Sequence, residues 1–95
     1  MGIPRSISDA QKIDFGVPVT GYLCCAEFKP PCLIGIVFTD ERGRFRDGGK
    51  IRTSRIEKVF VLKEYLVCET LSGSRYVVCH WLYENGATPT DYVLH

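Results

Sequence analysis

Hydrophobic residues from position 17 onward occur in short runs of strand length, with turn-forming residues between the runs. The segment 32–38, CLIGIVF, is a continuous apolar run typical of an inner strand covered on both sides. The segment 17–28 is rich in strand formers but contains Pro18 and Gly21, which predict an edge strand with a β-bulge. We expect five or six short antiparallel strands in a small barrel or sandwich, since turn signals recur about every 8–12 residues.

A longer stretch of mixed character follows between residues 50 and 63, KIRTSRIEKVFVLK. Polar and apolar residues alternate over only part of it, and neither face is purely apolar. We therefore expect a strand that bends or bulges near Arg55. The residues KEY at 63–65 predict a tight connection, and SGS at 72–74 predicts a hairpin turn in which Gly73 takes a positive φ.

The N-terminal residues form a separate arm in this interpretation. Ser6 or Ser8 can cap a short helix, and Gly16 can end it. With 45% hydrophobic and 24% charged residues, the 95-residue chain has the composition of one folded domain. We divide it into an N-terminal arm, 1–16, and a single β-rich domain, 17–95.

The cysteines indicate the redox environment. The chain has five, an odd number, and its N-terminal sequence lacks the apolar segment of a secretory signal. These features predict a cytoplasmic protein with free thiols that lie mostly in the core. Its longest apolar run, CLIGIVF, is too short to cross a bilayer, so we expect no membrane association.

Catalytic and metal-binding chemistry have little support in the sequence. Cys79 and His80 are adjacent in a predicted strand, so their side chains should point to opposite faces, although His80 could reach Cys68 across the hairpin. The doublet of Cys24 and Cys25 should divide between two faces in the same way. No paired zinc-ligand spacing is present, so we expect no metal, no cofactor and no enzymatic activity.

A basic segment is the strongest candidate for function. Residues 42–58 contain seven lysines or arginines and two acids, which gives a local charge of +5. Their glycines and hydroxyl groups suit an anion site, and a ring between two arginines can stack on a base. A solvated loop that protects a strand edge is the alternative interpretation. The predicted binding residues, with one aromatic near the C-terminus, are Arg42, Arg44, Phe45, Arg46, Lys50, Arg52, Arg55 and Tyr83.

Two elements of the chain resemble a strand-turn-strand pattern of small proteins encoded by bacteriophages and prophages. The first, I-x-T-S-x-I, is formed here by Ile51, Thr53, Ser54 and Ile56. The second, V-x-T-x-S-G-S-x-Y with one extra residue, is formed by Val67, Thr70, Ser72, Gly73, Ser74 and Tyr76. The resemblance transfers no site residues. It implies an accessory phage protein that acts by binding, often to inhibit or redirect a host factor or a defence system.

Together these features predict a noncatalytic binding protein, a phage-derived inhibitor or modulator that contacts an acidic host protein through the basic segment. A small β-barrel that binds nucleic acid or a nucleotide is the first alternative, with arginines on phosphates and Phe45 stacked on a base. A Cys/His enzyme is the second alternative. If segment 17–28 is an edge strand, it could also pair across a two-fold axis to form a homodimer.

Overall fold

The computed structural model describes residues 3–82, which form one short helix and a six-stranded sheet. The elements are α1 (Arg5–Gln11), β1 (Gly21–Lys29), β2 (Cys32–Phe38), β3 (Gly49–Arg52), β4 (Ile56–Leu62), β5 (Tyr65–Thr70) and β6 (Arg75–Val78). The predicted mainly β fold with a short N-terminal helix is confirmed. In the described part of the chain, no helix is long and apolar enough to cross a membrane.

The helix α1 belongs to the body of the protein. It starts directly after Pro4, with no side-chain cap, so the predicted serine cap is wrong. Pro4 is the N-cap residue, with an extended ψ of 146°, and its carbonyl oxygen accepts a hydrogen bond from Ser8 N at 3.0 Å. Ile7 and Ala10 are fully buried, and the ring of Phe15 packs edge-on against Tyr65 at a centroid distance of 5.7 Å. These contacts hold the helix to the outer face of the sheet.

The strands are ordered β3-β2-β1-β6-β5-β4 across the sheet. Every neighbouring pair is antiparallel except β1 and β6, which run parallel from Gly21 opposite Tyr76 to Leu23 opposite Val78. The sheet is therefore mixed, where the sequence predicted antiparallel strands. The predicted bend near Arg55 explains the difference, because β3 and β4 are separated by only residues 53–55 and continue in one direction.

If β3 and β4 are counted as one bent strand, the sheet is a meander of five strands. Its first and last strands then point the same way, so they can pair only in parallel. The two edges of the hydrogen-bonded order, β3 and β4, are consecutive in sequence, and this connection rolls the sheet into a barrel-like shape. At the bend, Thr53 N donates to Leu33 O at 2.8 Å and Ile56 N donates to Pro31 O at 2.8 Å.

Strand β1 has the predicted bulge but not the predicted edge position. Its pairing with β2 shifts register between Cys24 and Glu27, which marks the bulge. Both sides of β1 are paired, one with β2 and the other with β6, so the expectation of an edge strand over 17–28 is wrong. Pro18 lies before the strand and removes no hydrogen bond from it. Segment 17–28 therefore offers no free edge to a second copy, and a homodimer through an edge strand stays a prediction.

Two apolar layers lie on the two faces of the sheet. The inner layer draws residues from all six strands: Leu23, Ala26, Phe28, Leu33, Val37, Ile51, Ile56, Val59, Cys68, Tyr76 and Val78. The outer layer, beneath α1, has at its centre Ala10, Phe15, Val67 and Val77. Strand β2 is internal as predicted, but only its inner face is fully buried, since Ile34 and Ile36 are half-buried on the other face.

Candidate functional site

The loop between β2 and β3, residues 39–48, carries four of the predicted binding residues. Two carboxylates shape it. Asp40 Oδ2 accepts hydrogen bonds from the backbone N–H groups of Arg44, at 2.6 Å, and Phe45, at 3.1 Å. Asp47 Oδ1 accepts one from Thr39 N at 2.7 Å. Asn and Asp side chains commonly form turns by bonding to nearby backbone in this way, so the loop has a defined shape although all of its residues except Asp40 are exposed.

The arginines of this loop reach across to the turn between β5 and β6. Arg42 donates through Nη1 to Ser74 Oγ at 3.2 Å and through Nη2 to Gly73 O at 3.1 Å. Arg44 donates through Nη2 to Ser74 Oγ and to Tyr76 Oη, both at 3.3 Å. Ser74 itself is only 1% exposed. One buried hydroxyl thus positions the guanidinium groups of two arginines that are themselves exposed.

A chain of hydroxyl groups continues from Ser74. Ser72 Oγ lies 3.3 Å from Ser74 Oγ and 3.1 Å from Thr70 Oγ1, and it accepts a hydrogen bond from Ser54 Oγ at 3.0 Å. Ser54 belongs to the first element of the phage-like pattern, and the other three belong to the second. The two elements therefore meet in space, and the network that joins them also holds Arg42.

The turn at residues 71–74 confirms the hairpin predicted from SGS. Gly73 has a φ of 84°, as its position in the turn requires, and Thr70 N donates to Ser74 O at 2.9 Å. Leu71, in the same turn, is 63% exposed. Sequence reasoning missed this leucine, because an apolar residue at a strand end gives no signal of exposure.

An aromatic ring lies beside the guanidinium of Arg44. Arg44 Cζ lies 5.1 Å from the centroid of Phe45, whose side chain is 37% exposed. This distance is within the range of a cation–π contact. We call Arg42, Arg44, Phe45, Leu71 and Gly73 the loop–turn surface; it combines fixed cationic donors with two exposed apolar side chains.

A pocket of about 460 Å³ opens next to the loop–turn surface. Its two cations are Arg42 and Arg75, and its one acid is Glu41. Arg75 is held by Glu69, with Nη2 and Oε2 2.7 Å apart, and by Pro18 O, to which Nη1 donates at 2.9 Å. The full lining is Pro18, Thr20, Glu41, Arg42, Gly73 and Arg75. Since Arg75 is already neutralised, Arg42 is the cation that a bound acid would meet.

The other predicted binding residues do not join this surface. Lys50 and Arg52 are exposed on β3, where they pair with Ile36 and Ile34 across the strand. Arg55 forms an ion pair with Glu57 at 3.0 Å, and Arg46 is exposed in the loop, with no side-chain bond among the described residues. Tyr83 lies outside the described residues. The basic segment is therefore divided among several places, and only its first part is built into a site.

The net charge of the loop is lower than the +5 of the longer segment 42–58. Residues 40–47 contain three arginines but also Asp40, Glu41 and Asp47, so this part of the chain has no net charge. The three ion pairs found within residues 3–82 join Lys29 to Glu27 and two other arginines to glutamates, and none includes Arg42 or Arg44. The loop–turn surface offers positioned donors rather than a strongly positive field.

The two thiols considered for catalysis, Cys68 and Cys79, lie in surroundings that disfavour a nucleophile. Cys68 is fully buried in the inner core, and burial raises the pKa of its thiol to about 12. Burial also raises the pKa of Cys79 to about 12. His80 is exposed and lies instead beside Cys24 and Cys25. Thiols with such high pKa values remain protonated at neutral pH and are poor nucleophiles.

The cysteine doublet also differs from its prediction. The Sγ atoms of Cys24 and Cys25 are 3.5 Å apart, so the two side chains lie together rather than on opposite faces. The bulge is the cause, because Cys25 adopts a φ of 54° and interrupts the alternation of the strand. All five cysteines are free thiols, but only Cys68 is buried and the other four are half-buried, so the prediction that they lie mostly in the core is wrong.

Comparisons with family models, with curated proteins and with solved structures give no significant match to this chain.

Proposed function

We propose that this protein is a noncatalytic binding module that docks an acidic region of a partner protein on its loop–turn surface. The observation that carries the proposal is the shared anchoring of Arg42 and Arg44 on Ser74. Neither arginine has a carboxylate partner within residues 3–82. Guanidinium groups bind carboxylates bidentately, and groups held in place lose less entropy when they do so.

The surroundings of the arginines support a protein partner over a nucleic acid. The loop contains as many acids as arginines, so it lacks the net positive charge that attracts a polyanionic phosphate backbone. Phe45 is an exposed aromatic residue beside the Arg44 guanidinium, and Leu71 is an exposed apolar residue in the turn that anchors the arginines. Arginine with aromatic and apolar neighbours is typical of the energetically dominant residues of protein interfaces.

A nucleic acid or nucleotide remains the second candidate, and one observation favours it. The exposed ring of Phe45 with the Arg44 guanidinium at 5.1 Å could stack on a base while the arginine contacts a phosphate. This candidate predicts affinity that falls steeply and linearly in log–log form with salt concentration, whereas a packed protein interface responds less.

The biological setting is part of the proposal. The phage-like pattern supports an accessory protein of a bacteriophage or prophage that inhibits or redirects a host factor, and the free thiols support a reducing, cytoplasmic location. An inhibitor of this kind needs no catalytic group, because occupation of the partner's surface is sufficient.

The test is a pull-down from bacterial lysate with the wild-type protein, with Arg42→Ala/Arg44→Ala and with Lys50→Ala/Arg52→Ala, each with and without nuclease. Both double variants remove two positive charges from exposed positions, so they are matched in charge. We expect a discrete protein that survives nuclease, is retained by the β3 variant and is lost with the loop variant. The captured protein is then purified, and its dissociation constant is measured across a salt series.

Three results would contradict the proposal. Recovery that disappears with nuclease would favour the nucleic-acid candidate. Equal recovery by the wild type and the Arg42→Ala/Arg44→Ala variant would show that the loop–turn surface is a solvated loop. Loss with the Lys50→Ala/Arg52→Ala variant alone would move the interface to β3.

A further inference from the structure

Three side chains with metal-binding atoms converge at the bulge of β1, away from the loop–turn surface. They are Cys24, Cys25 and His80, and one potential ligand atom from each lies within 4.8 Å of the others. The two Sγ atoms are 3.5 Å apart. Both cysteines are half-buried and the histidine is exposed, so the cluster can be reached from solvent.

The backbone builds this cluster. Cys24 pairs with Ile36 and Glu27 pairs with Ile34, so two residues of β1, including Cys25, stand opposite Gly35 alone. A Cβ at Gly35 would lie 3.4 Å from Ala26 Cα, so the bulge packs closely against this glycine. In a regular strand the doublet would divide between the two faces. Here the left-handed conformation of Cys25, with a φ of 54°, brings both sulfurs to one side.

The histidine is tied to the same bulge. Ala26 N donates to His80 O at 2.9 Å, and Ala26 also forms a parallel bridge with Trp81. The backbone of His80 is therefore bonded to Ala26, the residue that directly follows Cys25. The imidazole of His80 is exposed and can rotate towards the two sulfurs. A residue other than glycine held in the left-handed region is strained, and such strain is concentrated at functional sites.

The geometry points to a zinc site, and we propose that Cys24, Cys25 and His80 bind one Zn²⁺ ion. Zinc bonds to thiolate sulfur at about 2.3 Å, which places two sulfurs of a tetrahedral site roughly 3.8 Å apart. The observed separation of 3.5 Å is close to that value. Two thiolates and one imidazole form a three-ligand set that leaves the fourth position for water or for a group from a partner.

Binding releases the two thiol protons to solvent, and no oxidation or reduction takes place. The ion then bridges adjacent residues of β1 and the segment after β6. It links these two strands at the end of the parallel pair, where the pairing of Leu23 with Val78 is the last one of the ladder. Bound zinc should therefore stabilise the fold as well as occupy the site.

The experiment uses the full chain, kept reduced, and titrates Co²⁺ as a spectroscopic probe, with Zn²⁺ as competitor. We compare the wild type with Cys25→Ser, His80→Ala and Cys32→Ser. Cys32 is the matched control, because it is also half-buried but lies outside the cluster. We expect one Co²⁺ per chain, a sulfur-to-cobalt charge-transfer band and visible bands of tetrahedral cobalt, all displaced by one equivalent of Zn²⁺.

In the variants, Cys25→Ser should reduce the charge-transfer intensity by about half and weaken the binding, His80→Ala should weaken the binding at least tenfold, and Cys32→Ser should match the wild type. Zn²⁺ should raise the melting temperature of the wild type and of Cys32→Ser more than that of His80→Ala. The proposal is overturned by cobalt binding without a sulfur band, by a His80→Ala variant that binds as tightly as the wild type, or by a Cys32→Ser variant that loses binding. If Cys25→Ser does not fold, the His80→Ala comparison decides alone, since an exposed imidazole is not needed for folding.

Discussion

Replacing Ser74 by alanine tests whether the buried hydroxyl of Ser74 holds Arg42 and Arg44 in place. The hydroxyl of Ser74 accepts a hydrogen bond from Arg42 and another from Arg44, and it lies 3.3 Å from Ser72 Oγ. The side chain is 1% exposed, so the substitution removes a buried acceptor and leaves a space smaller than a methyl group. The arginines themselves are exposed and can return to water.

The size of the effect follows from these contacts. A hydrogen bond to a charged group contributes about 1.5–3 kcal/mol when both partners are shielded from water. Here the donors are exposed, so solvent recovers much of that energy, and we expect Ser74→Ala to lower the free energy of unfolding by about 1–2 kcal/mol. In a domain of this size the melting temperature should fall by roughly 5–10 °C.

The assay is urea unfolding followed by circular dichroism, with Ser8→Ala as the control. Ser8 has the same hydroxyl group, but it lies in α1 and takes no part in the hydroxyl network around Ser74, so its loss should cost under about 0.5 kcal/mol. The decisive measurement is a double-mutant cycle that combines Ser74→Ala with Arg42→Ala/Arg44→Ala. We expect a coupling energy of about 1 kcal/mol, because the hydroxyl and the guanidinium groups stabilise the fold together.

Two results would refute this reasoning. Additive effects in the cycle would mean that the arginines do not depend on Ser74 in solution. A Ser74→Ala variant as stable as the wild type would show that the Ser74 hydroxyl does not hold the two arginines, and the shared anchor that carries the proposed function would not exist.

Three further predictions concern the turn, the helix and the buried thiol. Gly73 has a φ of 84°, so Gly73→Ala should lower the free energy of unfolding by about 1–2 kcal/mol and Gly73→Asn by less; equal stability of all three would contradict the turn geometry. Ile7 is fully buried, so Ile7→Ala should cost about 2–4 kcal/mol in chemical denaturation, and a cost below about 1 kcal/mol would mean that α1 is not packed. Burial raises the pKa of the Cys68 thiol from 9.0 to about 12, so the unfolded chain loses this proton at a lower pH than the folded chain does. The free energy of unfolding should therefore fall as the pH rises between these two values, by about 1.4 kcal/mol per pH unit. Cys68→Ala should have a shallower decline between pH 9 and 11 in reducing buffer, and an unchanged slope would contradict the assignment.

The local features of the fold could be predicted because they depend on neighbouring residues. The turn at Gly73 follows from the glycine of SGS and is present, whereas the bulge predicted in 17–28 from Pro18 and Gly21 lies instead between Cys24 and Glu27. The parallel pairing of β1 with β6 depends on how many times the whole chain reverses. The relative direction of β1 and β6 depends on whether the chain reverses between residues 50 and 63 or continues as one bent strand. The local pattern of polar and apolar residues does not distinguish these two cases.

The candidate site was only partly accessible to sequence reasoning for a similar reason. A charged, glycine-containing stretch directed attention to Arg42 and Arg44, but their anchor, Ser74, lies 30 or more positions later. Nothing in the spacing of these residues indicates the contact. For Cys24 and Cys25 the alternation of side chains along a regular strand predicted opposite faces. The bulge interrupts this alternation, so the two side chains lie together.

The parallel seam between β1 and β6 has a kinetic consequence. It pairs residues 55 positions apart, from Gly21 to Tyr76, and closing a segment of that length carries an entropy cost of roughly 3–4 kcal/mol. The loop at 39–48 belongs to the half of the chain before the bend, and the turn at 71–74 belongs to the half after it. A partner bound to both segments would hold together the two halves of the chain that pair through β1 and β6. Complex formation should therefore slow the unfolding rate. The lifetime of the folded chain would then report occupancy of the loop–turn surface.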